Sequence, residues 1–244
     1  MKVNLESLIQ PHIMAMPAYE PILPYEVLSQ HLGISKEKIV KLDANENPYG
    51  PLPAATQAVA ELNQLHIYPD PESRRIRGML ADYHNLPAET IVIGAGADEL
   101  IDLIIRVTTG PGDRLLNCPP TFGMYAFDAA VHRLEVINVE RRLDFQIDFG
   151  EVIAQIEKLA PKLLFLAHPN NPDGGLIDSE FIEALLAQAM LVVVDEAYID
   201  FSPDGSSLMY RVAEHDNLIV LRTFSKWAGL AGLRIGYGIF PEAF

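Results

Sequence analysis

The apolar run Leu218-Ile-Val-Leu221 leads into Arg222-Thr-Phe-Ser225-Lys226-Trp-Ala-Gly229, and Arg234 follows eight positions after the lysine. A lysine amine that is desolvated and close to other cations becomes nucleophilic and can form a Schiff base with a carbonyl. A single lysine is most often a solvated surface charge, so its company decides. Here the company is Arg234 and a second segment, Gly94-Ala-Gly96-Ala97-Asp98-Glu99, which opens a helix after the strand-like Ile91-Val-Ile93. Free backbone N–H groups at a helix start bind phosphate. Lys226, Arg234 and that helix start can therefore converge on one phosphate-bearing aldehyde. The alternative for the glycine-rich segment is a plain loop with Asp98 as a helix cap. A dinucleotide fingerprint is not met, because Glu99 stands at its third glycine position.

Two further turns follow apolar runs. Asp195-Glu196-Ala-Tyr198 comes directly after Leu191-Val-Val-Val194, which places a carboxylate where burial is expected and a partner is required. That partner is an arginine, a protonated ring nitrogen or, least favoured for want of a second ligand cluster, a metal. His168-Pro-Asn170-Asn171-Pro172 comes after Leu163-Leu-Phe-Leu-Ala167. Its two amides lie between prolines, as a turn alone would also have them. His168 reads as a loop or packing residue.

Composition narrows the classes. The 244 residues are 49% hydrophobic and 21% charged, ordinary for a globular protein, with a formal net charge of -15. That charge, with no basic run to offset it, excludes a nucleic-acid partner and attraction to an anionic membrane. The single cysteine, Cys118, excludes an internal disulfide and any multi-cysteine metal site, and the seven histidines show no metal-ligand spacing. The first twenty residues lack the apolar run of a signal peptide, and a cytoplasmic location is the default expectation.

The elements that must position these residues alternate. A helix is expected near 25–32, a loop at 41–53, then helices at 54–65 and 72–84. Strands are expected at 90–93, 113–117, 134–139, 162–167, 190–194, 218–222 and 235–240. Helices at 97–107, 121–131, 148–159 and 178–189 fall between them. Runs such as Leu191-Val-Val-Val194 are apolar on both faces, as in strands covered by helices on both sides. The expected fold is α/β, a mostly parallel sheet between helical layers. In such sheets ligands bind beyond the carboxyl ends of the strands.

The run Thr223-Phe-Ser225-Lys226-x-x-Gly-Leu-Ala-Gly-Leu-Arg234-x-Gly-Tyr is similar to the lysine segment of the fold-type I, class I/II aminotransferases, which use pyridoxal 5′-phosphate (PLP). Asp195-Glu-Ala-Tyr198, the Pro-Asn-Asn171-Pro turn and Gly-Ala-Asp98-Glu resemble the same family in the same order. Asp43-Ala-Asn45-Glu-Asn47-Pro-Tyr-Gly-Pro, Tyr68-Pro-Asp and Pro119-Pro-Thr-Phe-Gly-Met-Tyr125 resemble its histidinol-phosphate branch. The likeness runs from about residue 20 to 240.

The resemblance implies that Lys226 carries PLP as a Schiff base, and that Asp195 pairs with the pyridinium nitrogen so that the ring acts as an electron sink. It implies hydrogen bonds from Asn171 and Tyr198 to the ring oxygen, and Tyr125 stacked on the ring face. It also implies a phosphate site made by Ala97, Asp98, Ser225 and Arg234. Tyr68 would enter from the other subunit of a homodimer, and Tyr25 and Asn45 would touch substrate. The implied partners are an amine donor and a 2-oxo acid, in the exchange of L-histidinol phosphate and 2-oxoglutarate for imidazole-acetol phosphate and L-glutamate. Residues 1–43 would be an arm and part of a small domain, and 44–244 the PLP-binding large domain. The family continues well past the position of Phe244, so the C-terminal small domain is absent by comparison and weak PLP binding with poor turnover is expected. Asp173 replaces the family's usual threonine in that turn. Two other readings stay open: a threonine-phosphate decarboxylase-like lyase, and a catalytically incomplete binding or dimerisation module.

Overall fold

The computed structural model describes residues 3–19 and 21–244. Seven strands form one sheet: β1 (Ile91–Gly94), β2 (Arg114–Asn117), β3 (Glu135–Asn138), β4 (Leu163–Ala167), β5 (Leu191–Asp195), β6 (Leu218–Thr223) and β7 (Gly236–Ile239). Their order is β1-β7-β6-β5-β4-β2-β3. From β6 through to β3 all neighbours are parallel. β7 runs antiparallel to both β6 and β1. A parallel return needs a crossover of a dozen or more residues, usually a helix. Residues 224–235 instead form the lysine-bearing turn and a short 3₁₀ segment, Ala231–Leu233, so the chain comes back reversed.

The central strands are buried along nearly their whole length, and alternate residues face opposite helical layers. Leu164, Leu166, Val192, Val194, Leu218 and Val220 pack with one cluster. That cluster is covered by α4 (Arg74–His84), α7 (Phe149–Leu159) and α8 (Ser179–Leu186). Leu163, Phe165, Val193, Ile219 and Leu221 pack with the other cluster, under α5 (Ala97–Thr108) and α6 (Met124–Val131). In α5 the buried residues Leu100, Ile101, Ile104 and Ile105 share one face. Asp148 and Asp178 cap α7 and α8, accepting from the amides of Glu151 and Glu180.

The N-terminal part is built differently. It holds α1 (Pro11–Ala15), α2 (Tyr25–Leu32) and α3 (Pro53–Ala60), none with a buried residue. Among the described residues the first buried side chain is Leu80. α3 is shorter than the expected 54–65 and has no buried residue, and helices this short gain most of their stability from packing. No helix among the described residues is long and apolar enough to cross a membrane.

Candidate active site

The carboxyl ends of β4, β5 and β6 lie side by side, tied by His168 N–H donating to Asp195 O (2.8 Å) and Glu196 N–H donating to Leu221 O (2.8 Å). The strand alternation sends Asp195 toward α5 and α6, and Glu196 toward α4. Asp195 is 4% exposed. Burial pushes its carboxyl up to about 6, against the hydrogen bonds from Tyr125 Oη and the Ala197 amide that favour the charged form. Those bonds are 2.7 Å and 3.0 Å long. The site thus holds a carboxylate that gains from a cationic partner.

Lys226 sits on the turn after β6. Its Nζ donates to Ala44 O at 3.1 Å and lies 5.6 Å from the centre of the Tyr198 ring. The Tyr198 hydroxyl accepts from Asn45 Nδ2 at 3.0 Å. Asn45, Asn170, Asn171, Tyr198, Phe201 and Ser202 line an open cleft of about 340 Å³. Asn45, Asn171 and Tyr198 are thereby brought together around one cleft.

A third group forms beside the start of α5, which has no side-chain cap. Arg234 Nη2 reaches Asp98 Oδ2 at 2.9 Å and Ala95 O at 3.4 Å. Two glycines permit this. A Cβ on Gly96, whose φ is +85°, would fall 2.6 Å from Arg234 Nη2, and one on Gly236 would fall 2.5 Å from the Gly96 carbonyl carbon. Ser225 is buried, its hydroxyl 2.9 Å from that of Thr223. Uncapped amides, an arginine and a hydroxyl on adjacent turns suit a dianionic phosphate.

One expected residue is placed differently, and two, Tyr68 and Tyr25, lie outside the cleft that this chain lines. Tyr125 is fully buried, its ring stacked on Phe165 at 5.0 Å and 8°, so its faces are closed to a stacking ligand. Its hydroxyl orients Asp195 instead. The half-buried aromatic on this loop is Phe122, edge-on to Tyr125 at 5.5 Å. Sequence reasoning missed Phe122 because it precedes α6 and belongs to no charged pattern. Tyr68 is 98% exposed and outside the cleft. Tyr25 also lies outside the cleft lining, facing Lys41, whose Nζ is 6.0 Å from its ring centre. Among the described residues no group of three His, Cys, Asp or Glu could hold a metal.

Behind the site Glu196 is fully buried and accepts from Ser207 Oγ (2.7 Å) and the Leu208 amide (2.6 Å). Arg222 lies 3.5 Å from it and 2.7 Å from Asp200. Burial raises the Glu196 carboxyl to about 7, with Arg222 among the groups pulling it down. Removing one partner of a buried pair strands the other. Arg222→Leu is expected to lower stability by about 3 kcal/mol, read by urea unfolding. Because the folded-state value is raised, Glu196 is mostly neutral at pH 5 and ionised at pH 8, so the loss should be larger at pH 8. An equal loss at both values would show that the ion pair is not its source.

The model of the family "Aminotransferase class I and II" matches residues 37–244. Histidinol-phosphate aminotransferase of Nicotiana plumbaginifolia, a chloroplastic protein by name, is 52% identical over 99% of this chain and 58% of its own length. The Roseiflexus castenholzii histidinol-phosphate aminotransferase is 47% identical over 99% of this chain and 66% of its own length. The chain thus spans somewhat more than half the length of the curated relatives it matches. Among solved structures, the histidinol-phosphate aminotransferase of Sinorhizobium meliloti in complex with pyridoxal-5′-phosphate is similar with a TM-score of 0.86. It is 28% identical, with 97% of this chain and 64% of that one covered. The sheet between helical layers is the fold of that enzyme, and with the family match over 37–244 it shows that the chain belongs to the class I and II aminotransferases.

Proposed function

We propose that this chain holds PLP on Lys226 and takes part in the amino-group transfer that interconverts L-histidinol phosphate plus 2-oxoglutarate and imidazole-acetol phosphate plus L-glutamate, a step of histidine biosynthesis. The observation that carries the proposal is the strip at the carboxyl edge of the sheet. It offers a buried carboxylate, a lysine amine beside a tyrosine, and an uncapped helix start with an arginine. These fit the ring nitrogen, the aldehyde and the phosphate of PLP. The glycine cradle at 96 and 236, which any Cβ would fill, fits the last of these.

When bound, PLP supplies an electron-withdrawing ring that lets the α-carbon of an attached amine give up a proton and lets the amino group pass from donor to acceptor. The protein's own residues do the rest. Asp195 holds the proton on the ring nitrogen, and Tyr125 keeps the carboxylate aimed. Tyr198 and Asn171 donate to the ring oxygen, while Phe122 rather than Tyr125 is the aromatic to cover the ring. Arg234, Ser225 and the amides of Ala97 and Asp98 anchor the phosphate. Lys226 Nζ would be the base that removes the α-proton and the acid that returns it. Asn45 contacts substrate at the cleft.

The partners proposed are an amine donor, a 2-oxo acid and a second copy of the chain. Tyr49 and Tyr68 are 95% and 98% exposed and Leu65 is 83% exposed, so each of these side chains gains from being covered. In the homodimer Tyr68 reaches the other copy's phosphate site, and Tyr25 meets substrate. Residues 44–244 are the cofactor-binding unit and residues before 44 an arm. The proposed location is the cytoplasm, with the chloroplast as the alternative that the name of the Nicotiana plumbaginifolia relative offers.

The test is a single turnover. The PLP-loaded chain is mixed with L-histidinol phosphate, and with L-threonine O-3-phosphate in parallel. Imidazole-acetol phosphate formed in proportion to protein supports transamination. Release of carbon dioxide from the threonine phosphate, with no ketone from histidinol phosphate, would replace it with the lyase reading.

A further inference from the structure

We infer that the segment Ala44–Gly50 is a strap that positions Lys226, and that Asn47 is the positioning residue that fastens it. The inference rests on Lys226 being the cofactor-holding lysine. Three contacts, all between groups far apart in sequence, define the strap. Asn47 Nδ2 donates to Lys226 O at 3.2 Å and to Trp227 O at 3.1 Å. Lys226 Nζ in turn donates to Ala44 O at 3.1 Å. Gly229, with φ +65°, closes the same turn so tightly against the strap that a Cβ there would lie 2.5 Å from Gly50 O.

The strap holds its own shape. Asn47 Oδ1 accepts from the Tyr49 amide at 3.0 Å, and Gly50 N–H donates to Asn47 O at 3.1 Å. One carboxamide therefore uses its acceptor to fold the strap and its donor to grip the lysine turn. On the turn, the Lys226 carbonyl also accepts from Gly229 N–H at 3.3 Å, so the Asn47 bond adds to a loop already bent toward the strap. The amine is held at both ends, its backbone by Asn47 and its tip by Ala44 O. Next to Ala44, Asn45 fixes Tyr198, whose ring faces the same ammonium. A nucleophile held in one orientation reacts faster with a docked aldehyde than one free to wander, and an error of about 1 Å costs on the order of a hundredfold.

The strap makes opposite predictions for two reagents. Trace acetylation of the cofactor-free chain by acetic anhydride, followed by peptide mass, reads how free the Lys226 amine is, with Lys158 and Lys162 as internal references. Stopped-flow absorbance reads the rate at which the same amine captures PLP. Asn47→Ala is expected to raise acetylation of Lys226 severalfold and to slow capture by at least about tenfold. The references and the melting temperature should hardly move. Asn47→Asp, which keeps the shape but turns a donor into an acceptor facing two carbonyls, should do the same and decides the matter if the alanine variant folds poorly. Gly229→Ala, which pushes on Gly50 from the other side, should reproduce both effects.

General loosening of the fold would raise acetylation at the reference lysines too, and that result overturns the inference. So does any outcome in which acetylation and capture fail to move in opposite directions. If the unaltered chain captures no PLP, the proposed function fails, and acetylation of Lys226 alone still decides whether the strap holds it.

Discussion

Replacing Lys226 with alanine should abolish covalent attachment of PLP and slow the conversion of histidinol phosphate by at least about 10³-fold. In the proposed function the lysine has two duties, and alanine would remove both. It would capture the aldehyde and carry the proton at the α-carbon, a contribution worth about 10²–10⁴-fold by itself. The fold should be untouched, because among the described residues the Nζ makes one hydrogen bond, to Ala44 O, and the residue stands on a turn outside the core clusters. Melting within a few degrees of the parent is the control. PLP should still bind without a covalent link, through Arg234 and the start of α5, and equilibrium dialysis checks this. A variant that retained turnover within tenfold would remove Lys226 from the mechanism.

Asp195→Asn should damage function and yet stabilise the cofactor-free chain. The Asp195 carboxyl has an ordinary value of 3.8 and is raised to about 6 by burial. A folded-state value above the unfolded one means that ionisation works against folding. The penalty is absent below about pH 3.8, grows through about pH 6, and is constant above. A shift of that size corresponds to about 2–3 kcal/mol at neutral pH. Asparagine carries no charge and keeps an oxygen for the Ala197 amide. The stability difference between variant and parent, measured by urea unfolding without PLP, should widen in the variant's favour from pH 4 to pH 7 and then level off. With PLP present the order should reverse, because the ring nitrogen has lost its counter-charge, and turnover should fall by about 10²-fold or more. Identical pH profiles for the two proteins would show that Asp195 is not held as a buried, charge-seeking carboxylate.

Much of this was legible because it rests on local pattern. Asp178 before Phe181, Ile182, Leu185 and Leu186 marks both the cap and the buried face of α8, and the structure has both. Asp195 after four apolar residues marks the buried end of a central strand. The direction of β7 was not legible, since Gly236–Ile239 would read the same in either sense. Only the helix-poor connection from Thr223 fixes it. Nor was it legible that Tyr125 is the buried aromatic and Phe122 the partly exposed one. Both are aromatic, three positions apart, and which one enters the core depends on where α6 sits over Phe165. The strap was hidden for a further reason. Asn47 meets the lysine turn across more than 170 residues of chain, and no periodicity carries a contact of that range. Glu196 and Arg222 were visible as residues but not as a pair, because strand alternation alone does not say what waits on the far face.

The measurement that bears most directly on the account is reduction of the PLP-treated chain with borohydride, followed by peptide mass mapping, with the absorption spectrum recorded before and after. A yellow, reducible species is expected, with a phosphopyridoxyl group on the peptide that contains Lys226. That label should disappear in Lys226→Ala and should be formed more slowly in Asn47→Asp. A folded chain with no label, or with its label on another lysine, would contradict the assignment of the site.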